Sequence, residues 1–283
     1  MQKVHQAECK PPLFIVAGAK GAIGSTVAAA IAALKNDLHA VQPYLTTAPG
    51  FLHLGPLSAM EFAGWDVSPR SFRQAIEYHG VIPPEKSLPQ EYLDGIPIRQ
   101  APLAGLSLAA QVERLIQDIQ EFKELYPDTR PVFINLLPAC ETVNLGEISR
   151  LDHLYSQADP AILPDLAYTL AAVLSGLPVV NFTPNETELP VMVSEAVKAG
   201  APLCGRDGKT GQTYLKVVLA SALKARNLRV DGWYSLNILG NEDGKNLADP
   251  RRAAGKLANK TEVLEEILGI LLGVDMALPP TRW

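Results

Sequence analysis

The apolar run Leu13-Phe14-Ile15-Val16-Ala17 stops at Gly18. Glycine-rich chain, Gly18-Ala19-Lys20-Gly21-Ala22-Ile23-Gly24, then leads through Ser25-Thr26 into the alanine-rich stretch Val27 to Leu34. A short apolar run with Pro12 before it and glycine after it reads as a buried parallel strand, and the stretch beyond Thr26 as a helix. Strand, glycine turn and helix in direct succession narrow the choice of fold sharply, because a strand apolar on both faces needs helices to cover it. The same succession is the setting of a dinucleotide-binding turn. Its glycines let backbone N–H groups approach a pyrophosphate at a helix N-terminus, which makes Gly18, Lys20, Gly21, Ala22, Ile23 and Gly24 candidate cofactor contacts. The spacing is G-x-x-G-x-x-G, with Ala19 and Lys20 where stricter fingerprints carry glycine. A glycine-closed turn without a ligand is the alternative.

The alternation continues. Leu106 to Leu125 has helical periodicity, with Leu108, Val112, Leu115, Ile116 and Ile119 on one face, and Val132 to Leu137 reads as a second buried strand. Tyr168 to Leu174 is an apolar helix closed by Gly176, followed by a strand at Pro178 to Phe182. Leu189 to Lys198 is a helix ending at Gly200, and Pro202-Leu203-Cys204 is a short strand. Glu77 to Ala101, rich in proline and polar residues, reads as a long connection. Strands alternating with helices predict an α/β fold, a Rossmann-like doubly wound parallel sheet. Ligands of such sheets lie off the carboxyl ends of the strands, where Gly18–Gly24, Pro138–Glu141, Thr183–Thr187 and Gly205–Thr213 fall. The sheet domain is expected over residues 1–212. Residues 213–283 are expected to begin a smaller α+β domain, with a helix at Leu215 to Arg226, strand-like chain at Gly232 to Leu236 and an amphipathic helix at Glu262 to Leu272.

With 283 residues, 47% hydrophobic and 19% charged, the chain suits a globular protein with a substantial core. A net charge of -5 without a Lys/Arg cluster argues against a nucleic-acid partner. Cys9, Cys140 and Cys204 lack metal-ligand spacing and suit a reducing compartment. No apolar signal core opens the chain and no run is long enough to span a bilayer, so a soluble cytoplasmic protein is expected. His5, His39, His53, His79 and His153 are scattered and receive no role.

Three further groups of residues carry possible chemistry. The acidic residue usual about 20 positions after a dinucleotide turn is missing, since Tyr44-Leu45-Thr46-Thr47 stands there. Asp66, in Ala63-Gly64-Trp65-Asp66-Val67-Ser68, is a substitute partner for a ribose, or else Asp66 or Ser68 caps the helix-like Phe72 to Tyr78. In Asp207-Gly208-Lys209-Thr210-Gly211, glycines bracket a lysine in a ligand-end loop, which places Asp207 and Thr210 near a nucleotide and points Lys209 inward. The alternative is a helix cap with a solvated lysine. Lys256 and Lys260 share a helix face, where each lowers the other's pKa, unless they form only a solvated basic face.

The segments Asp207-Gly208-Lys209-Thr210-Gly211-Gln212-Thr213, Leu239-Gly240-Asn241-Glu242-Asp243-Gly244 and Lys256-Leu257-Ala258-Asn259-Lys260 resemble the myo-inositol-phosphate synthase family in order and spacing. The resemblance runs from Phe14 to about Leu268. It implies NAD as a catalytic cofactor, with the Asp of a Gly-Trp-Asp segment (here Asp66, with Val67 beside it) lying against the adenosine part. Asp207, Thr210 and Asn241 join those cofactor contacts by the same resemblance. It further implies that Lys209, Asp243, Lys256 and Lys260 are catalytic, with the lysines facing the substrate phosphate and the reacting oxygen. The implied reaction is redox-neutral. Glucose 6-phosphate is oxidised at C5, enolised at C6, closed by an intramolecular aldol step and reduced to inositol phosphate. The family is tetrameric, so a homo-oligomer is expected. Its members run roughly another hundred residues past the lysine helix, so the second domain is expected to be incomplete here. Two alternatives stand beside this reading: an NAD-dependent sugar-phosphate oxidoreductase, and an inactive relative that keeps only NAD or partner binding.

Overall fold

A computed structural model describes residues 10–36, 59–82, 90–101, 105–140, 145, 148–206, 208, 211–233 and 266–269, with residues 211–213 as backbone only. Strand β1 (Pro12–Ala17) stands inside the sheet because it can be covered on both faces: Leu13, Ile15, Val16 and Ala17 are buried. It pairs in parallel with β2 (Glu61–Asp66) on one side and β4 (Arg130–Asn135) on the other, Ala17 lying opposite both Trp65 and Asn135. With β3 (Ile98–Gln100), β5 (Val179–Asn181) and β6 (Leu203–Cys204) the parallel sheet has six strands in the order β3-β2-β1-β4-β5-β6. The order reverses between β1 and β4, the place where open α/β sheets bind ligands beyond the carboxyl ends of their strands. The glycine turn leaves β1 at that point.

Helix α1 (Ala22–Lys35) starts five residues before the alanine-rich stretch, taking Gly24, Ser25 and Thr26 into its first turns. Helix α2 (Phe72–His79) opens with a capping box in which Ser71 and Gln74 satisfy each other's backbone, and closes on Gly80 in the left-handed conformation. Neither Asp66 nor Ser68 caps it. Helix α4 (Leu108–Leu125) buries Leu108, Val112, Leu115, Ile119 and Phe122, the stripe its periodicity requires, and leaves Ile116 half-buried. It packs on α6 (Pro164–Leu174), which begins a turn before Tyr168 and is buried from Asp165 to Val173, hence its lack of a polar face. Helix α7 (Pro190–Ala199) ends at left-handed Gly200, as its sequence predicts.

Glu77 to Ala101 is not one long connection. Helix α2 occupies its start, and α3 (Gln90–Gly95) and β3 lie at its end. Helix α3 buries only Leu93, and β3 is a short, half-exposed edge strand, so neither leaves a periodic apolar signal. The short helix α5 (Leu151–Gln157), which buries Leu154, is also absent from the sequence reading. Helix α8 (Gly211–Ala225) begins before Leu215. Asp231–Trp233 are irregular, and the rest of the strand-like piece lies outside the described residues. Of the helix expected at Glu262 to Leu272, residues 266–268 are described and are helical. The chain divides into two compact units, one of Met1–Leu137, Glu147–Val180 and Thr187–Cys204, the other of Pro138–Gly146, Asn181–Glu186 and Gly205–Trp283.

In the first unit an aromatic cluster fills the space beneath β2. Trp65 meets Phe122, Phe133 and Tyr168 edge-on at centroid distances of 5.4, 6.4 and 5.4 Å, and its indole N–H donates to buried Asp118 at 2.9 Å. Burial, then the nearby carboxylates of Asp66, Asp118 and Asp165, raise the Tyr168 pKa above its usual value. With the folded pKa above the unfolded one, the neutral phenol's contribution is intact below about pH 10 and is lost as pH rises further. Tyr168→Phe is therefore expected to flatten the fall of thermal stability above pH 10, measured by melting across alkaline pH. An unchanged alkaline slope would contradict this.

Candidate functional site

The turn after β1 is built by close approach. Gly18, at φ 81°, lies against the chain following β4, where a Cβ would sit 2.9 Å from the Leu136 carbonyl oxygen. The N–H groups of Gly18 and Ala19 both donate to the Trp65 carbonyl, at 3.0 and 3.1 Å. Gly21 N–H closes a tight turn onto the Gly18 carbonyl at 3.1 Å, and Gly21 is the N-cap of α1. A Cβ on Gly24 would collide with the Ala19 carbonyl, so only glycine lets α1 start this close to the strand end. The α1 N-terminus has no side-chain cap and no acidic residue in its first turn. Its first N–H groups and the positive end of its dipole are thus left to an anion.

A polar network braces this turn. The Asp66 carboxylate, at the end of β2, accepts the Lys20 N–H at 2.7 Å through one oxygen and the Ser68 N–H at 2.7 Å through the other. The Lys20 ammonium donates to the Ser68 carbonyl at 3.2 Å, and His79 Nε2 lies 3.0 Å from the Lys20 carbonyl oxygen. Ile23 and Val67 stand 60% and 69% exposed, apolar side chains with no core to enter. On the β4 side, buried Asn135 accepts the Leu137 N–H at 3.2 Å and donates to buried Asp165 at 2.6 Å, which holds the segment that Gly18 approaches.

In the second unit another buried network forms. The Asn181 side chain accepts from Thr183 N–H and Oγ1 and donates to the Asn185 carbonyl. Asn185 in turn donates to the Pro138 carbonyl and accepts the Cys140 N–H, both at 2.9 Å. These bonds join the loops after β4 and β5. Gly208 N–H donates to the Phe182 carbonyl at 3.2 Å, and Arg206 pairs with Glu186 at 3.3 Å. Lys216 of α8 is only 1% exposed, and burial lowers its pKa.

The cofactor candidates Gly18, Lys20, Gly21, Ala22, Ile23, Gly24, Asp66 and Val67 thus fall on the turn and on the strand end that braces it. Asp207, Lys209, Thr210, Asn241, Asp243, Lys256 and Lys260 lie outside the described residues. Sequence reasoning missed His79, Asn135, Asn185 and Lys216. A lone histidine or asparagine carries no spacing signal. Lys216 stands in the apolar run Leu215-Lys216-Val217-Val218, which was the one available hint.

Residues 211–272 match the family model described as myo-inositol-1-phosphate synthase. Inositol-3-phosphate synthase 1 of Bacteroides thetaiotaomicron is 30% identical over 243 residues, 76% of this chain and 55% of that protein. Inositol-3-phosphate synthase of Brassica napus is 29% identical over 73% of this chain and 45% of its own length. The chain belongs to the inositol-3-phosphate synthase family. It spans about half the length of these curated relatives. Two solved structures share the fold: inositol-3-phosphate synthase from Caenorhabditis elegans has a TM-score of 0.76 at 18% identity, covering 95% of this chain and 64% of that one. A myo-inositol-1-phosphate synthase-related protein from Thermotoga maritima has a TM-score of 0.69 at 21% identity, covering 94% and 73%. Among the described residues no helix is long and apolar enough to cross a membrane, and no cluster of His, Cys, Asp or Glu could hold a metal ion.

Proposed function

We propose that the chain binds NAD at the glycine turn after β1 and that it acts, as its family does, in the redox-neutral conversion of glucose 6-phosphate to myo-inositol phosphate. The observation that carries the reading is the turn: Gly18 and Gly24, where any Cβ would strike backbone, let the chain close tightly between β1 and a helix N-terminus without cap or acid. The N–H groups at the start of α1 would hold the pyrophosphate. Each Asp66 oxygen already accepts one backbone N–H and keeps a lone pair for a ribose hydroxyl. Ile23 and Val67 would offer apolar surface to the adenine. Bound NAD supplies a hydride acceptor that later returns the hydride, so none is consumed.

The remaining assignments extend this reading through the motif match. Asp207, Thr210 and Asn241 would complete the cofactor contacts. Lys209, Lys256 and Lys260 would neutralise the substrate phosphate and the oxygen that carries charge as an alkoxide and then an enolate, with Asp243 beside them. Residues 1–212 would form the nucleotide domain, and 213–283 would belong to the catalytic and assembly domain, of a cytoplasmic homo-oligomer.

Calorimetric titration with NAD is expected to show saturable binding and a rise in melting temperature. No heat and no thermal shift at millimolar NAD would end the proposal. Incubation with glucose 6-phosphate and NAD, followed by absorbance and phosphate-ester NMR, should give an inositol phosphate without net NADH. Stoichiometric NADH would instead identify a sugar-phosphate oxidoreductase. NAD binding without either product would leave a binding protein.

A further inference from the structure

We propose that His79 is a positioning residue for the glycine turn. From the last turn of α2 it holds the Lys20–Gly21 peptide so that the carbonyl cannot swing toward an anion at the start of α1. Its meaning for cofactor affinity rests on the nucleotide reading above; its hold on the turn does not.

Residues 18–21 form a tight turn closed by Gly21 N–H on the Gly18 carbonyl. Such a turn changes form by rotating its central peptide, between Ala19 and Lys20, and once the closing bond opens the Lys20–Gly21 peptide can rotate as well, eased by its glycine. The peptide between Ala19 and Lys20 is held through its N–H by Asp66 at 2.7 Å. The next peptide, between Lys20 and Gly21, is held through its N–H by Gly18 and through its oxygen by His79 at 3.0 Å. Without His79 that carbonyl loses its tie, and a carbonyl oxygen turned toward a phosphate would repel it. Asp66 and His79 thus fix successive peptides of the same turn from β2 and from α2.

The histidine itself points to this role. A carbonyl only accepts, so the Nε2 facing Lys20 carries the proton, and in the neutral ring Nδ1 is then an acceptor. Nδ1 is buried and has no hydrogen-bond partner among the described residues. Leaving a buried polar atom unpaired is unfavourable. An apolar residue would occupy the site without that penalty, so the bond to Lys20 is what a histidine gains there. The ring is also held in place, edge-on to Tyr78 at 5.2 Å, with the Arg70 guanidinium 4.0 Å above the Tyr78 ring.

The test compares the full chain with His79→Leu, His79→Gln and His79→Asn. The amide nitrogen of glutamine can stand where Nε2 does, whereas that of asparagine falls nearer the Nδ1 position. Amide hydrogen exchange without cofactor should quicken about tenfold across residues 18–24 in His79→Leu, the size expected for one lost hydrogen bond, and stay unchanged across α4. Glutamine should restore slow exchange and asparagine should not. NAD affinity should follow the same order, about tenfold weaker for leucine. Unchanged exchange in His79→Leu, or equal rescue by glutamine and asparagine, would overturn the proposal. If the wild-type chain fails to bind NAD, the nucleotide reading falls, and the exchange pattern still decides whether His79 holds the turn.

Discussion

Gly24→Val is expected to abolish NAD binding and to lower stability by about 3 kcal/mol, the upper end of the usual cost of overpacking. The added Cβ would strike the backbone carbonyl of Ala19 rather than the end of a side chain, and Gly18's carbonyl oxygen lies 2.8 Å from the same point. Backbone cannot rotate aside as a side chain can. Either α1 moves away from the strand end or the turn opens, and both displace the N–H groups proposed to meet the pyrophosphate. Gly95→Ala is the control, because a Cβ there meets nothing within 4 Å, and its effect should stay within about 0.5 kcal/mol. Thermal melting and NAD titration of both variants check the prediction. A Gly24→Val protein that melts like wild type and still binds NAD would show that the turn is not the nucleotide site.

The same turn shows what a sequence makes legible. Glycines, apolar runs and helix stops are local signals, so β1, α1, α4, α6 and α7 could be read to within a few residues, and with them the parallel fold. Elements that bury little could not. Helix α3 hides one leucine, and β3 is a three-residue edge strand. Side chains whose partners are distant in sequence were no easier. His79 meets Lys20 across 59 positions, and Asn185 reaches Pro138 across 47. Nothing in the chain's local pattern encodes such pairs. Asp66 lies between these cases. Its place after a strand and before a helix left a cap and a ribose partner equally open, and the geometry removes the cap because Ser71 holds that position. The Asp66 bond to the turn, from Lys20 N–H, belongs to neither alternative.

If the proposed synthase reading holds, Lys256→Ala in a complete chain is expected to lower turnover by two to three orders of magnitude, roughly the effect of losing one oxyanion donor, while leaving NAD affinity unchanged. Gly255, immediately before Lys256, weakens helix propensity by about 1 kcal/mol relative to alanine. A glycine at that position is easiest to explain by close approach of a phosphate or a hydroxyl to the backbone. On a helix Lys260, four residues on, would share a face with Lys256, so a substrate anion would meet paired cations there. An ammonium so placed gains most when charge develops on the reacting oxygen, which makes it a transition-state contact more than a ground-state one. The loss should therefore fall on turnover, with little change in the Michaelis constant for glucose 6-phosphate. Lys256 is not among the proposed cofactor contacts, so cofactor affinity serves as the internal control. Lys256→Arg keeps the charge but not its compact shape and should restore only part of the rate. Turnover in Lys256→Ala equal to that of wild type would reduce this lysine to a solvated surface charge.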